Sequence, residues 1–85
     1  MQKLIQDISF GENLQKIRKS RGLSQYDVVR ELQLRGRDMT RANYAHIEQG
    51  IRNIFISDLV LLRDIFGVSY EAFFQGLSFD SATSD

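Results

Sequence analysis

Residues 39–50 (MTRANYAHIEQG) most constrain what this chain can fold into, because helix-capping residues stand near both ends of the segment. Thr40 is a good N-cap, and Gly50 is the residue best suited to the left-handed position that follows a helix. At 100° per residue, Tyr44 and Ile47 fall on the same face as Thr40, so we expect that face to be buried. The segment therefore predicts a short helix with a defined inner face.

The opposite face of this helix has an unusual composition for a protein surface. It carries Ala42, Ala45, His46 and Gln49, with Arg41 at its flank. An ordinary surface helix presents long charged side chains, whereas this face presents short side chains, an imidazole and an amide. Such a face can come close to another polar surface, and the major groove of DNA is one that admits a helix.

The composition favours one small domain, since the chain has 85 residues, of which 42% are hydrophobic. With no cysteine and a single histidine, we expect neither a disulfide framework nor a metal site, and no cofactor. The lack of a catalytic constellation and of a glycine-rich phosphate loop argues against an enzyme. No apolar run approaches the ~20 residues of a membrane span. No signal peptide is evident either, so we expect a cytoplasmic protein without a membrane partner.

The net charge of zero conceals an asymmetry along the chain. Residues 16–52 carry nine basic and four acidic side chains, which gives +5. Residues 53–85 carry one basic and five acidic side chains, which gives −4. A basic half can face phosphates while an acidic half faces away, although charges of both signs also simply solvate surface helices.

Two helices are expected before the segment described first, and no strand pattern is visible. The first is predicted over residues 10–20, after a capping box formed by Ser9 and Glu12. The second begins after Ser24, with Asp27 at its N3 position. Its buried stripe comprises Val28, Val29 and Leu32.

Two more helices are expected in the acidic half of the chain. Ser57 or a neighbour caps the fourth, which ends at Gly67, and Ser69 caps the fifth. The predicted fold class is therefore all-α, a compact bundle of five helices. The predicted organisation is an N-terminal arm or short helix, a helical domain and a frayed C-terminal tail, at residues 1–8, 9–76 and 77–85.

Four short motifs, in the order in which they occur, resemble the lambda-repressor-like helix-turn-helix domains of the Cro/XRE type. They are Gly22-Leu23-Ser24-Gln25, Val28-Val29, Ile47-Glu48-Gln49-Gly50 and Phe66-Gly67-Val68-Ser69. The resemblance covers residues 9–75. It implies that helices two and three form the helix-turn-helix and that the third helix lies in the major groove.

The resemblance also implies roles for individual side chains. The base-facing positions of the third helix are matched by Arg41, Ala42, Ala45 and His46. The positions beside the DNA backbone are matched by Thr40, Asn43, Arg52 and Asn53, and Gln25 matches a position that meets the DNA backbone or an outer base. A partly buried salt bridge of the family is matched by Arg18 and Glu48. The alternative for that pair is two independent surface charges.

Arg41 and His46 each allow a second interpretation. Arg41 suits bidentate donation to guanine O6 and N7, worth ~1–3 kcal/mol of discrimination, but a guanidinium also suits a phosphate. His46 either contacts a base or remains an exposed imidazole. Ala42 and Ala45 suit thymine methyl groups, so DNA shape and phosphate contacts are expected to carry much of the affinity.

Residues 33–39 depart from the family pattern, because they lengthen what is usually a short turn between helices two and three. Either helix two is extended or this enlarged turn bulges outward. A bulge toward DNA brings Arg35 and Arg37 to the phosphates, and a bulge away from DNA leaves them as solvated charges.

The family usually binds a two-fold DNA site as a homodimer. Residues 70–79 have more apolar side chains than one helix face can bury, and the interface candidates among them are Phe73, Phe74, Leu77 and Phe79. Phe73 and Leu77 fit one stripe, which leaves Phe74 or Phe79 for a partner. A second candidate cluster comprises Leu4, Ile5 and Ile8. Alternatively, both clusters cover the core of the monomer.

These observations predict a sequence-specific regulator of transcription, a repressor, that binds double-stranded DNA as a homodimer. The helix of residues 40–49 is predicted to read the major groove. The alternative is a protein-interaction module on the same fold, such as the antitoxin of a toxin–antitoxin pair. In that case Phe74, Phe79 and the acidic end of the chain contact a protein partner. Strong DNA binding without a co-purifying partner favours the regulator.

Overall fold

The computed structural model describes residues 3–4 and 10–77, in which five helices and two short strands follow one another. In chain order they are β1 (Lys3–Leu4), α1 (Phe10–Ser20), α2 (Gln25–Leu34), α3 (Arg41–Glu48), β2 (Ile54–Phe55), α4 (Ile56–Phe66) and α5 (Tyr70–Phe74). The predicted five-helix bundle is confirmed. None of the described helices has the length and apolar character of a bilayer span.

Side-chain caps begin α2 and α3 at the predicted residues. Ser24 Oγ accepts a hydrogen bond from the Asp27 N–H at 3.0 Å, and Asp27 Oδ2 accepts one from the Ser24 N–H at 2.9 Å. This reciprocal pair is a capping box. Thr40 Oγ1 accepts the Asn43 N–H at 3.1 Å. After α3, Gly50 has a φ of 79°, so a left-handed glycine follows the helix as predicted.

The cap of α4 differs from the prediction. Its N-cap is Phe55, and Ser57 lies inside the first turn. A phenyl ring offers no hydrogen-bond acceptor of the usual kind, and Asp58 at position N3 instead accepts the Phe55 N–H at 3.2 Å. Ser69 is the N-cap of α5, as predicted, but it makes no side-chain cap hydrogen bond.

The expectation of no strand is wrong for one short pair. β1 and β2 are antiparallel, with Lys3 opposite Phe55 and Leu4 opposite Ile54. Two residues per strand are too few to show an alternating pattern, so the sequence carries no signal for them. At residues 3–4 the N-terminal arm is thus a strand and not a helix. Ser9, the predicted cap of α1, lies outside the described residues, as do Ile5 and Ile8 of the N-terminal apolar cluster.

The core lies between α3 and the helices around it. α1 packs against α3 and α5, and α2 packs against α3 and α4. Buried side chains from all five helices fill the core, among them Leu14, Val28, Leu32, Tyr44, Ile47, Leu62 and Phe73. Because α3 contacts both α1 and α2, its inner face is enclosed and its outer face is left for other contacts.

Phe73 belongs to this core, so its prediction as a dimer contact is wrong. Its side chain has no exposed area, and its ring centre lies 6.2 Å from that of Phe10. Leu77 is half-buried and packs against the same cluster. Phe74, in contrast, is 45% exposed. The fourth candidate, Phe79, lies outside the described residues.

Gly11→Ala is expected to destabilise the bundle by about 1–3 kcal/mol. α1 and α3 approach each other so closely here that a Cβ on Gly11 would overlap the main-chain oxygens of Ile47 and Glu48. Backbone atoms cannot rotate away as a flexible side chain can. Urea denaturation measures the change, with Lys16→Ala at an exposed position of α1 as the matched control. Equal stability of the two variants would contradict the close approach.

Candidate nucleic-acid interface

α3 presents the predicted base-facing residues on its outer side. Arg41, Ala42 and His46 are exposed and Ala45 is half-buried. We call these four residues the reading face. Tyr44 on the opposite side is fully buried. No described residue forms an ion pair or hydrogen bond with the Arg41 guanidinium, so its donors are available to a ligand.

The enlarged turn consists of an extended α2 followed by a six-residue loop, residues 35–40. Gly36 has a φ of 89°, and the Arg37 N–H donates to the Leu32 carbonyl at 2.9 Å. This arrangement ends α2 with a left-handed glycine and a backbone hydrogen bond to its last turn. The Met39 side chain is buried, and its carbonyl accepts a hydrogen bond from Gln33 Nε2 at 3.0 Å. The loop is therefore packed onto the bundle.

The two arginines of this loop have different environments. Arg37 Nε donates to Asp58 Oδ1 at 2.5 Å, and the guanidinium carbon lies 5.8 Å from the centre of the Phe55 ring. Arg37 is thus engaged within the fold and is not merely a solvated charge, while its predicted phosphate contact stays a prediction. Arg35 pairs with Glu31 of α2, and both of these side chains are partly exposed. Arg35 remains at the surface.

The Glu48 carboxylate connects α3, which carries the reading face, to α1 and α2. Arg18 Nε and Nη2 donate to its two oxygens at 2.7 and 3.1 Å, so the predicted ion pair is present. Gln25 Nε2 also donates to Glu48 Oε1, at 3.0 Å. Arg18 Nη1 donates to the Leu23 carbonyl at 2.9 Å. The network therefore joins α1, the start of α2 and the last residue of α3.

Burial and hydrogen bonding determine the protonation states in this network. Burial opposes ionisation of Glu48, but hydrogen bonds from Arg18 and Gln25 outweigh it, and the pKa of Glu48 lies below its ordinary value. The hydrogen bond to Glu48 raises the pKa of Arg18. Burial, followed by the nearby Glu48 carboxylate, raises the pKa of Tyr44, so this phenol stays neutral. Among the described residues, the buried Tyr44 hydroxyl has no hydrogen-bond partner.

Gln25 has a structural contact at the position predicted for a DNA-backbone contact. Its amide nitrogen carries two hydrogens, and one of them is donated to Glu48. The second hydrogen is left for another acceptor, and the side chain is half-buried at the start of α2. Gln25 can therefore connect the Glu48 network to a phosphate.

The other predicted backbone positions lie at the two ends of α3. Thr40 is exposed, and its hydroxyl accepts the N–H of the half-buried Asn43. Beyond α3, the Arg52 N–H donates to the His46 carbonyl at 3.2 Å, so the loop folds back onto the helix. Arg52 is exposed and Asn53 is half-buried. These residues are placed around the reading face.

Two exposed residues of α2 beside the reading face have no role in the sequence-based assignment. Tyr26, 70% exposed, and Arg30, one turn later, line a groove of about 410 Å³ between α2 and the start of α3. The remaining walls of the groove are Val29, Gln33, Thr40 and Arg41. The sequence does carry a signal that could have identified these two residues. Tyr26 lies outside the apolar stripe of α2, directly after Gln25, and Arg30 follows four residues later on the same face.

A helical bundle in which α2 and α3 are joined by a turn, with the outer side of α3 exposed, defines a helix-turn-helix domain. A family model for the helix-turn-helix domain matches residues 11–78. The chain therefore belongs to the helix-turn-helix domain family, as its motifs predict. Among solved structures, the restriction-modification controller protein C.AhdI from Aeromonas hydrophila has a similar fold. The TM-score is 0.68 at 22% sequence identity, over 79% of this chain and 94% of that chain. No curated protein matches the sequence.

Acid is expected to weaken the fold partly through Glu48. Because the pKa of Glu48 is lower in the folded than in the unfolded state, its contribution to the free energy of unfolding is fully present above the unfolded pKa. That contribution is lost as the pH falls through the folded pKa. Glu48→Gln is therefore expected to be less stable than the wild type at neutral pH, with a difference that narrows in acid.

Thermal unfolding of both proteins between about pH 7 and about pH 3 measures this difference. Glu12→Gln, which changes an exposed carboxylate of α1, is the matched control. A stability difference for Glu48→Gln that does not vary with pH would contradict the assignment of a charged, hydrogen-bonded Glu48.

Proposed function

We propose that this chain is a sequence-specific regulator of transcription that binds double-stranded DNA and represses by occupying a promoter. The observation that carries the proposal is the outer side of α3, where short side chains and an unpaired Arg41 lie opposite a buried inner side. Membership of the helix-turn-helix family supports a DNA-binding regulator in general. The similar fold of a restriction-modification controller agrees with a regulatory role.

Each residue of the reading face suits a different feature of a base pair. The Arg41 guanidinium matches the two acceptors of guanine, O6 and N7. Ala42 and Ala45 leave room for thymine methyl groups, and His46 can donate or accept a hydrogen bond. Because two of the four positions are alanines, DNA shape is expected to contribute to the specificity.

We assign phosphate contacts to the polar and cationic residues that border the reading face. They come from the groove beside α3, the start of α2, the loop before α3, the first turn of α3 with its cap, and the loop that follows it. The set comprises Gln25, Tyr26, Arg30, Arg35, Thr40, Asn43, Arg52 and Asn53. The net charge of +5 over residues 16–52 is the electrostatic basis of this assignment.

Selection of bound sequences from a random duplex library at about 0.15 M salt tests the proposal. An enriched palindrome with half-sites ~10 bp apart would support a dimeric regulator. A folded protein that enriches no sequence would contradict it.

Arg41→Ala is expected to weaken binding to the selected sequence by about 1–3 kcal/mol and to weaken binding to unrelated DNA much less. The reason is that only the selected sequence offers guanine acceptors at the correct position. Fluorescence anisotropy with both duplexes measures the two losses. Arg63→Ala is the matched control, because Arg63 is an exposed arginine on α4. Equal losses on both duplexes would show that Arg41 contacts phosphate alone.

We further propose that the protein forms a homodimer through α5. Phe74 is 45% exposed, and together with Tyr70 and Glu71 it lines an open groove of about 690 Å³. An aromatic ring at the edge of a groove can insert into the same groove of a second copy. This suits a two-fold dimer, in which both copies contribute the same surface to the interface.

Phe74→Glu is expected to shift the protein toward monomer in sedimentation velocity, because a carboxylate would be buried at the interface. Leu34→Glu provides the control, since Leu34 is 73% exposed at the end of α2. A dimer that resists Phe74→Glu would place the interface elsewhere.

The same aromatic surface supports a second candidate function, a protein-interaction module such as the antitoxin of a toxin–antitoxin pair. Tyr70 is 39% exposed next to Phe74, and two exposed aromatic side chains suit a protein partner. Co-purification of a partner that Phe74→Glu abolishes, combined with no selected DNA sequence, would favour this function over the first.

A further inference from the structure

We propose that the ion pair between Arg37 and Asp58 positions the recognition helix α3 for sequence-specific DNA binding. This inference rests on the proposed function. The pair connects the loop that precedes α3 to the first turn of α4, across 21 residues of sequence. Arg37 and Asp58 are thus positioning residues and do not themselves contact DNA.

Asp58 is the fixed end of this connection. Its side chain is 2% exposed, and each carboxylate oxygen has its own donor. Oδ1 accepts Arg37 Nε at 2.5 Å, and Oδ2 accepts the Phe55 N–H at 3.2 Å. Because Phe55 belongs to β2 and caps α4, its backbone N–H orients the Asp58 carboxylate independently of Arg37. A buried and oriented carboxylate defines where the Arg37 guanidinium must lie.

A short chain of contacts leads from Arg37 to α3. The Met39 N–H donates to the Arg37 carbonyl at 2.9 Å, and the Met39 side chain is buried. Thr40 follows directly as the N-cap, and Arg41 is the first residue of the helix. Because only Asp38 and Met39 separate Arg37 from Thr40, a shift of Arg37 is transmitted to the start of the reading face.

The length of the loop explains why such a contact matters. A loop of six residues between two helices has many conformations, and ordering it on binding costs conformational entropy. An ion pair that orders the loop in the free protein removes this cost from the binding step. The contact between Gln33 and the Met39 carbonyl secures the loop to α2, and the ion pair of Arg37 with Asp58 secures it to α4.

Two variants separate positioning from a direct DNA contact. Asp58→Asn keeps the shape of the side chain but removes the charge that holds Arg37. If the pair positions α3, affinity for the selected sequence falls roughly tenfold, with a smaller change on unrelated DNA. If Arg37 instead contacts a phosphate, the same variant frees the guanidinium, and affinity stays equal or rises.

Arg37→Met gives the complementary measurement. Positioning predicts the same loss of specific affinity and an unchanged slope of log affinity against log salt, because no phosphate contact is removed. A phosphate contact predicts a slope reduced by about one. Arg63→Met is the matched control, since Arg63 is an exposed arginine of α4 to which no DNA contact is assigned. It is expected to leave the affinity, the specificity ratio and the salt slope unchanged.

All proteins are compared at a temperature at which circular dichroism shows them folded. If either single variant unfolds, the double variant Arg37→Met, Asp58→Leu replaces it, because removing both charges leaves no buried charge unpaired. It is expected to lose specific affinity in the same way, since an apolar contact lacks the directional hydrogen bond. Folded variants with wild-type affinity and specificity would overturn the inference. If the wild type itself selects no sequence, the proposed function fails, and the inference fails with it.

Discussion

The buried Glu48 carboxylate is the interaction on which the arrangement of α1, α2 and α3 depends. Its side chain is 1% exposed, and its donors come from α1 through Arg18 and from α2 through Gln25. A desolvated carboxylate is costly unless its hydrogen bonds are complete, so any rotation of α3 that separates it from Arg18 is disfavoured. Buried ion pairs contribute little net stability compared with apolar packing. The value of this one is therefore the defined orientation of α3, which an apolar contact would specify less strictly.

α3 needs such contacts because it has only eight residues, and isolated helices of that length are not stable in water. Its inner side is fixed by packing of Tyr44 and Ile47, and its last residue by the Glu48 network. At its start, Thr40 caps the helix and the preceding loop is attached to Asp58 through Arg37. A buried carboxylate thus acts near each end of the helix. The side chains on the outer side of α3 take no part in these contacts, so they can contact a ligand without disturbing the position of the helix.

The parts of the fold that were predictable from sequence are those with local causes. Ser24 and Thr40 cap helices through bonds to residues three positions away, so their role is visible in a short segment. The Arg18–Glu48 pair spans 30 residues and was suggested only by family resemblance. Nothing local marks Asp58 as the partner of Arg37. Periodicity does place Phe73 and Leu77 on one stripe and leaves Phe74 outside it, but it does not show that the stripe is covered by α1 and not by a second copy.

The six-residue loop between α2 and α3 shows how the domain accommodates a long connection next to the reading face. Lengthening a loop costs little closure entropy, so the length of this one has little effect on stability. Orientation is a stricter requirement, since a freely moving loop would leave the start of α3 poorly defined. The structure meets it by using one loop residue, Arg37, to satisfy a carboxylate that also caps α4. The same side chain therefore compensates a buried charge and orders the loop, which makes the loop part of the scaffold of the reading face.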